Sequence, residues 1–208
     1  PDSGCGSWLF EPQSTNLIPY SEDFTNGWEN TRIDVTLNSV SSPDGKTNGA
    51  LFSDGLDNGT HRLRTQNITN SGDYVFSIYV KQGTTSRVAL YDYSGGNGGI
   101  GFNLEDMSNF SVGGLSVTPI GDYGYGETLN GFTRIWLKTT YITNNPIAIF
   151  MLDDTETISY QGNNNTMFFW GAQLEQQSYA TSYIPSNGSQ VTRNQDVCTN
   201  GGSLASIN

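Results

Sequence analysis

Polar and apolar residues alternate along several stretches of this chain. The alternation is clearest in residues 74–81, 87–93 and 132–141. Because side chains of a β-strand point alternately to its two sides, each stretch predicts a strand with one buried side. The apolar residues that we expect to point into the core are Phe76, Ile78, Val88, Leu90, Ile135 and Leu137.

Further strand signals run along the rest of the chain. Apolar runs at 147–152 and 167–170 are typical of strands buried on both sides. Weaker strands are predicted at 32–38, 50–53, 61–68, 100–103 and 114–119. Turn residues separate these stretches, and none has helical spacing. The pattern predicts an all-β, two-sheet antiparallel β-sandwich. The Gly- and Tyr-rich stretches 92–101 and 120–130 are predicted to be loops, which often carry recognition in sandwiches.

Composition limits the domain count and the partners. The 208 residues suit one all-β domain. We predict a linker or edge segment at 1–15, the sandwich at 16–198 and a flexible tail at 199–208. The net charge of −11 argues against nucleic acid and anionic membranes, because binding to either relies on Lys and Arg. The sequence has no apolar run of the length that spans a membrane.

Two cysteines lie near opposite ends of the chain, at Cys5 and Cys198. We predict that they form a disulfide that ties the ends together, with two free thiols as the alternative. In the chain-entropy model such a long closed loop is stabilised by roughly 4–5 kcal/mol. Disulfides persist in oxidising compartments, so this pairing predicts a secreted, extracellular protein.

Several segments together resemble a known family of β-sandwiches. They occur in the order NLIPYSEDFTNGW (16–28), SSPDGKTNGALF (41–52), YVFSIYVKQGTTSRVAL (74–90), LNGFTRIWLKTTY (129–141) and MFFWGAQLEQQSYATSYIP (167–185). The first and last segments look like opening and closing strands whose ends meet. This frame resembles the jelly-roll carbohydrate-binding modules of secreted bacterial polysaccharidases, and also the related β-sandwich domains of phage tail and fibre proteins.

The resemblance implies a jelly roll of the concanavalin-like or galactose-binding-like kind that binds carbohydrate without catalysis. Such a module would be a monomer or part of a multidomain enzyme. It would hold that enzyme on a polysaccharide, for which we predict an algal or marine origin and a marine bacterium as source. A phage tail or fibre interaction domain is the alternative. A polysaccharide lyase or hydrolase is third, because a fold alone does not fix a function.

Strand parity predicts a ligand-binding surface. Sugars stack on aromatic rings and bond to planar polar groups, so we expect outward aromatic and arginine side chains to form one platform. The proposed ligand-binding residues are His61, Arg62, Arg64, Tyr79, Arg87, Tyr91, Tyr93, Arg134 and Trp136. Clustered arginines would suit sulfated or uronic-acid glycans, and neutral glycans stay open. The alternative is that loops cover these rings as cross-strand pairs.

The resemblance also implies a structural calcium ion, since such modules often hold one near the terminal strand. Calcium needs 6–8 oxygen ligands. If the chain ends pair, Glu22 and Asp23 would meet Glu175 and Asp196; unpaired surface carboxylates are the alternative. No catalytic residues are proposed, because the sequence has neither a G-x-S-x-G elbow nor a histidine besides His61. His61 with Tyr79 or Tyr91 and Arg87 is the only lyase-like set.

Overall fold

The computed structural model describes residues 10–67, 71–93, 98–115, 122–141 and 145–197. These residues contain β-strands, turns and bends without any helix. Accordingly, the described part of the chain has no helix of the length and apolarity needed to cross a membrane.

The described residues form sixteen strands. In chain order they are β1 (Ser14–Asn16), β2 (Trp28–Thr31), β3 (Asp34–Val40), β4 (Gly49–Ser53), β5 (Asn58–Thr60), β6 (Arg62–Thr65), β7 (Gly72–Gln82), β8 (Arg87–Asp92), β9 (Gly98–Asn103), β10 (Ser108–Phe110), β11 (Tyr123–Leu129), β12 (Phe132–Tyr141), β13 (Ile147–Met151), β14 (Ser159–Gln161), β15 (Thr166–Glu175) and β16 (Val191–Arg193).

Two six-stranded antiparallel sheets make up the sandwich. Sheet I has the order β10-β9-β8-β13-β6-β2, and sheet II has the order β11-β12-β7-β15-β4-β3. The chain crosses between the sheets repeatedly, for example from β6 to β7 to β8, as in a jelly roll. The predicted all-β, two-sheet antiparallel sandwich is therefore confirmed.

The core lies between the inner faces of the two sheets. All six residues predicted to point inward are buried in one hydrophobic cluster with side chains from β4, β13 and β15. Full burial of a Leu, Ile or Phe side chain stabilises a protein by about 1.5–3 kcal/mol. Aromatic contacts add to this, such as the stacked pair of Phe52 and Phe169 with ring centroids 4.2 Å apart. The predicted parity of the central strands is confirmed.

Both predicted loops contain strand residues, since 98–101 of the stretch 92–101 belong to β9 and most of 120–130 belongs to β11. Residues 123–129 form β11, which pairs with β12 from Tyr123 opposite Leu137 to Leu129 opposite Phe132. Glycine lowers intrinsic strand propensity, but hydrogen bonding to the long strand β12 overrides it. The strand predicted at 114–119 is wrong at its start, since Gly114 and Leu115 lie in a turn and bend. Residues 116–119 lie outside the described part.

The predicted opening and closing segments meet, since the Leu17 amide donates to the Leu174 carbonyl at 2.8 Å and the Ala172 amide donates to the Ser21 carbonyl at 2.9 Å. The chain ends beyond them also pair. β1 pairs antiparallel with β16, with Ser14 opposite Arg193. Beyond this ribbon, the Asp196 amide donates to the Glu11 carbonyl at 3.0 Å. Residues 10–15, predicted as a linker or edge, thus belong to a paired ribbon. Cys5 and Cys198 lie outside the described residues, so their disulfide stays a prediction, as does the tail at 199–208.

Candidate functional site

The predicted ligand-binding residues do not form one platform. Arg62 and Arg64 are on β6, and Arg87 and Tyr91 are on β8, all in sheet I. The other outward residues lie on β7 and β12 in sheet II, and they are Tyr79, Arg134 and Trp136. Outward side chains of two packed sheets point in opposite directions. The single platform is therefore wrong, because parity was applied to both sheets as if they were one.

Loops cover much of the outer face of sheet I. Tyr91 is only 7% exposed and packs with Ala89, Ala148 and Phe150 beneath Val112. Next to it, the Tyr93 ring contacts the Tyr91 ring edge-on at 4.6 Å and its hydroxyl accepts a hydrogen bond of 2.5 Å from Arg62. For Tyr91 the loop-covered alternative is the correct one.

The arginines of sheet I are not gathered into an anion site. Arg87 pairs with Asp154 at 2.5 Å and with Glu156 at 3.3 Å. Arg64 pairs with Glu29, its direct cross-strand neighbour. Neighbouring carboxylates thus neutralise two of the predicted arginines, and Arg134 lies on the other sheet. The predicted arginine cluster for sulfate or carboxylate groups is wrong.

His61 is a structural residue in this fold. It is 0% exposed, and its Nδ1 lies 2.8 Å from the Arg32 carbonyl oxygen. Its ring packs against Tyr160 with centroids 4.5 Å apart. Because it has no solvent-facing surface, His61 has no access to a glycan, and the lyase-like set around it is not assembled.

The outer face of sheet II contains an open cleft of about 400 Å³, which we call the β12 cleft. It lies between edge strand β11, the neighbouring strand β12 and the segment 178–182 that follows β15. The lining residues are Glu11, Asp122, Gly126, Glu127, Arg134, Trp136, Ser178, Tyr179, Ala180, Thr181 and Ser182. Of the nine predicted ligand-binding residues, two, Arg134 and Trp136, line it.

Trp136 presents an aromatic surface in this cleft. It is half-buried and lies opposite Gly124 of β11. A Cβ atom at position 124 would lie 3.1 Å from Cζ2, 3.3 Å from Cε2 and 3.4 Å from Nε1 of the indole. Such similar distances to three adjoining ring atoms mean that one ring face lies over the glycine. The opposite ring face is turned away from β11, and Tyr179, 49% exposed, adds a second ring to the lining.

A buried polar network supports the cleft from below. Arg134 donates to the Thr181 carbonyl at 2.7 Å and to the Ser77 hydroxyl at 2.9 Å, and its guanidinium lies 5.4 Å from the centre of the Tyr79 ring. Tyr79 is only 2% exposed and its hydroxyl donates to Glu127. Burial raises the pKa of the Tyr79 hydroxyl, so it remains a donor at neutral pH. Tyr79 and Arg134 therefore act as supports beneath the surface.

The segment 178–182 is fixed by a buried carboxylate. Glu175 is 0% exposed and accepts hydrogen bonds from Ser14 Oγ at 2.6 Å and from the Thr181 amide at 3.0 Å. Glu11 accepts from the Ser182 amide at 2.7 Å and pairs with Arg193. The terminal ribbon thus holds one side of the cleft in place.

Several polar groups of the cleft have unused hydrogen-bonding capacity. Within the described part of the chain, the Asp122 carboxylate and the Tyr179 and Ser178 hydroxyls have no hydrogen-bond partner, and only one Glu127 oxygen is engaged. Three carboxylates line the cleft against one arginine, which is itself buried. The cleft therefore offers aromatic surface, free acceptors and a negative potential.

The predicted calcium ligands are dispersed. Glu175 is held as described above, and Asp196 accepts from the Glu11 amide at 3.0 Å. Glu22 accepts from Asn48 at 2.7 Å and from the Tyr183 hydroxyl at 3.0 Å. Among the described residues, no three His, Cys, Asp or Glu side chains form a metal-binding group. The predicted meeting of all four carboxylates is wrong, because terminal pairing aligns Glu11 with Asp196 instead.

Glu22 and Asp23 do share one cleft. It measures about 370 Å³ and is also lined by Asn38, Asn48 and Asn187. Asp23 is engaged by Thr25 and Asn26 of its own turn. These oxygen donors match the chemistry that calcium prefers, so a smaller site at this cleft stays a prediction.

Sequence reasoning missed Asp122, Glu127 and Tyr179. The first two lie in the stretch 120–130, which was predicted as a recognition loop and instead provides edge strand β11. Tyr179 belongs to the Ser/Thr/Tyr-rich segment after β15. An aromatic residue in this polar stretch was the sequence signal that could have identified it.

No protein-family model and no curated protein matches the chain. One similar solved structure contains the carbohydrate-binding and GH10 modules of endo-1,4-β-D-xylanase 10B from Clostridium thermocellum, complexed with xylohexaose. Its identity is 12% over 84% of this chain and 30% of that chain, with a TM-score of 0.44. TmCBM61, in complex with β-1,4-galactotriose, has 15% identity over 78% of this chain and 99% of that chain, with a TM-score of 0.40.

A third similar structure is the enzymatically active domain of tailspike protein 4 of bacteriophage CBA120. It has 11% identity over 76% of this chain and 21% of that chain, with a TM-score of 0.40. This chain thus spans 30% and 21% of the lengths of the xylanase and tailspike chains. Carbohydrate-binding modules and a phage tail protein, the two classes that the sequence resembles, are both among the structures similar to this chain.

Proposed function

We propose that this chain is a non-catalytic carbohydrate-binding module and that the β12 cleft holds the glycan. The observation that carries this proposal is the indole of Trp136, which lies over Gly124 with its other face turned away from β11. Sugar rings have C–H faces that pack on such a surface. A half-buried aromatic ring beside an open cleft is more than solvation of the sheet requires.

The polar groups around Trp136 suit the hydroxyls of a sugar. Asp122 and Glu127 accept hydrogen bonds, and the Tyr179 and Ser178 hydroxyls both donate and accept. Hydrogen bonds to a charged group contribute about 1.5–3 kcal/mol each when they are well formed. A shallow site of this kind corresponds to micromolar affinity, which is about −8 kcal/mol.

The charge of the cleft favours an uncharged glycan over a sulfated or uronic-acid one. Glu11, Asp122 and Glu127 line it, and the whole chain carries a net charge of −11. A polyanion would be repelled at long range. Its groups would also meet Arg134 only after displacing the bonds to Thr181 and Ser77.

The module would act by attachment to a secreted polysaccharide-degrading enzyme. Holding that enzyme on its substrate raises the effective concentration of sites. The attachment, export from the cell and an algal or marine source of the glycan are predictions from the sequence resemblance.

Affinity electrophoresis tests the proposal. The parent chain is run in gels containing laminarin, xylan, agar, carrageenan, alginate or fucan, beside Trp136→Ala and Tyr179→Ala. We expect retardation in a neutral glycan and clearly weaker retardation in both variants. Tyr123→Ala is the matched control, since Tyr123 is an exposed aromatic residue on edge strand β11 that does not line the cleft. Equal retardation of the parent and both cleft variants would refute the site.

The same samples separate the alternatives. A phage tail or fibre domain would form trimers in light scattering and pass every gel unretarded. A lyase or hydrolase would release unsaturated products or new reducing ends from the glycan during incubation.

Calcium at Glu22 and Asp23 is a second, separable proposal. Bound calcium stabilises the folded state by mass action, so EDTA would lower the melting temperature of the parent. In Glu22→Gln, EDTA should no longer lower the melting temperature. If EDTA leaves the melting temperature of the parent unchanged, the proposal of a bound calcium ion is refuted.

A further inference from the structure

A second groove runs along the terminal ribbon, away from the β12 cleft. It consists of two adjoining cavities of about 220 and 470 Å³, which share Leu17 and Gln190. We call it the glutamine groove. Its lining residues are Gln13, Ser14, Thr15, Leu17, Ile18, Pro19, Gly27, Trp28, Thr65, Gln66, Asn67, Tyr74, Leu174, Gln176, Gln177, Gln190 and Thr192. None of these residues lines the β12 cleft.

The groove differs from the rest of the molecule in charge. Among the described residues that line it, none is acidic or basic, although the chain carries a net charge of −11. Five glutamines supply planar amides instead. Such a surface neither attracts nor repels charged partners, so it suits a ligand that is polar and uncharged.

The glutamine amides are only partly engaged. Gln66 donates to the Gly27 carbonyl at 3.5 Å, Gln190 donates to the Leu17 carbonyl at 3.5 Å and Gln177 donates to the Gln13 carbonyl at 3.1 Å. Each amide oxygen is left without a hydrogen-bond partner within the described ranges. Since an amide both donates and accepts, these groups match sugar hydroxyls, which do the same.

The deeper part of the groove is apolar. Trp28 is half-buried and packs on Phe24 at 5.2 Å, and its Nε1 donates to the Tyr20 carbonyl at 3.1 Å. Tyr74 and Leu174 are buried beside it. The indole is thus fixed in position before any ligand arrives, which reduces the entropy lost on binding.

We infer that the glutamine groove is a second carbohydrate site, and that it takes an uncharged oligosaccharide. Trp28 provides the surface for a sugar ring, and Gln66 and Gln190 bond to its hydroxyls. The inference goes beyond the proposed function, because it needs neither Trp136 nor Tyr179. Gln177 and Ser178 are consecutive and line the groove and the cleft respectively. One polysaccharide chain that engaged both sites would therefore be held by avidity.

The test follows side-chain amide signals by NMR in the 15N-labelled chain. Xylohexaose, cellohexaose and mannohexaose are titrated into the parent and into Trp136→Ala. We expect the Gln66 and Gln190 amide signals to shift in both proteins with one of these hexasaccharides. In the Trp136→Ala background, the added pair Gln66→Ala and Gln190→Ala should weaken the remaining binding about tenfold.

Gln82→Ala is the matched control, because Gln82 is an exposed glutamine at the end of β7 that lines neither site. The inference is overturned if no hexasaccharide shifts the Gln66 and Gln190 signals, or if the glutamine pair can be removed without weakening the binding left in Trp136→Ala. Shifts at the groove with none at Trp136 would uphold the groove and refute the cleft, so the two proposals fail separately.

Discussion

The outer faces of the two sheets carry similar residues but differ in how far other segments cover them. Both present tyrosines and arginines away from the core, as strand parity requires. On sheet I, the segment around Val112 packs onto Tyr91 and Phe150 and fills that part of the surface. On sheet II, the segment after β15 contacts Arg134 through Thr181 and Tyr79 through Tyr183, but it leaves the β12 cleft open beside Trp136. Parity gives the direction of a side chain, and the covering segments decide its exposure.

Glycines on the two faces explain part of this difference. On sheet I, a Cβ at Gly101 would clash with the ring of Phe110, so the glycine lets that ring lie on β9 and close the surface. On sheet II, Gly124 receives the indole of Trp136 in a similar way. Phe110 then joins a hydrophobic cluster, whereas Trp136 borders an open cleft. A glycine that accommodates a cross-strand aromatic ring thus occurs both on the covered face and beside the proposed binding cleft.

Truncation of one tyrosine on each face should give the largest contrast. Tyr91→Ala leaves a cavity beneath the covering segment and should lower the unfolding free energy by about 3 kcal/mol. Tyr179→Ala should change it by about 0.5 kcal/mol or less, because the ring is largely exposed. Urea unfolding measures the free energy of both variants. Equal losses of unfolding free energy would contradict the difference in covering between the two faces.

Truncation of one arginine on each face should give a smaller difference in unfolding free energy. Arg134→Ala leaves the Thr181 carbonyl and Ser77 hydroxyl without their donor, so we expect a loss of about 2–3 kcal/mol. Arg87→Ala removes ion pairs to two exposed carboxylates and should cost about 1 kcal/mol or less. A larger loss for Arg87→Ala in the same urea series would mean that sheet I, not sheet II, depends on its arginine.

Gly124→Ala should weaken glycan binding a few-fold, by roughly 0.5–1 kcal/mol. The new methyl group would sit 3.1 Å from the indole and displace it by a few tenths of an ångström. Leu129→Ala is the control, because Leu129 is exposed at the end of the same strand β11 and does not line the cleft. Isothermal titration calorimetry that finds equal affinities for the two variants would exclude a role for the indole position.

The smallest expected effect is the change of the unfolding free energy with pH, which is negligible near neutrality and appears only above pH 10. Burial raises the pKa of Tyr79 above the value of about 10 in the unfolded chain, so the folded state binds this proton more tightly. The resulting stabilisation is fully present below pH 10 and is lost as pH rises further. Urea unfolding at pH 8, 10 and 11 should show this decline, and it should be shallower in Tyr79→Phe. Burial raises the pKa of Tyr125 to about 12, so part of the decline remains.

The sequence predicted the fold better than the site, for physical reasons. Alternation in strands such as β7 and β12 reports burial on one side, so the core residues Ile78 and Ile135 were predictable. Alternation carries no information on which sheet a strand joins, so Arg87 and Arg134 were placed together. The covering of Tyr91 depends on contacts with distant loop residues such as Val112. Tyr179 lies in a segment without periodicity, and its position depends on the buried Glu175.

The structure of the chain bound to its most strongly retained neutral oligosaccharide tests the central claim most directly. We predict a sugar ring stacked on Trp136, with hydroxyls bonded to Asp122 or Glu127 and to Tyr179. A sugar bound to the outer face of sheet I at Tyr93 and Arg62, with an empty β12 cleft, would contradict the account.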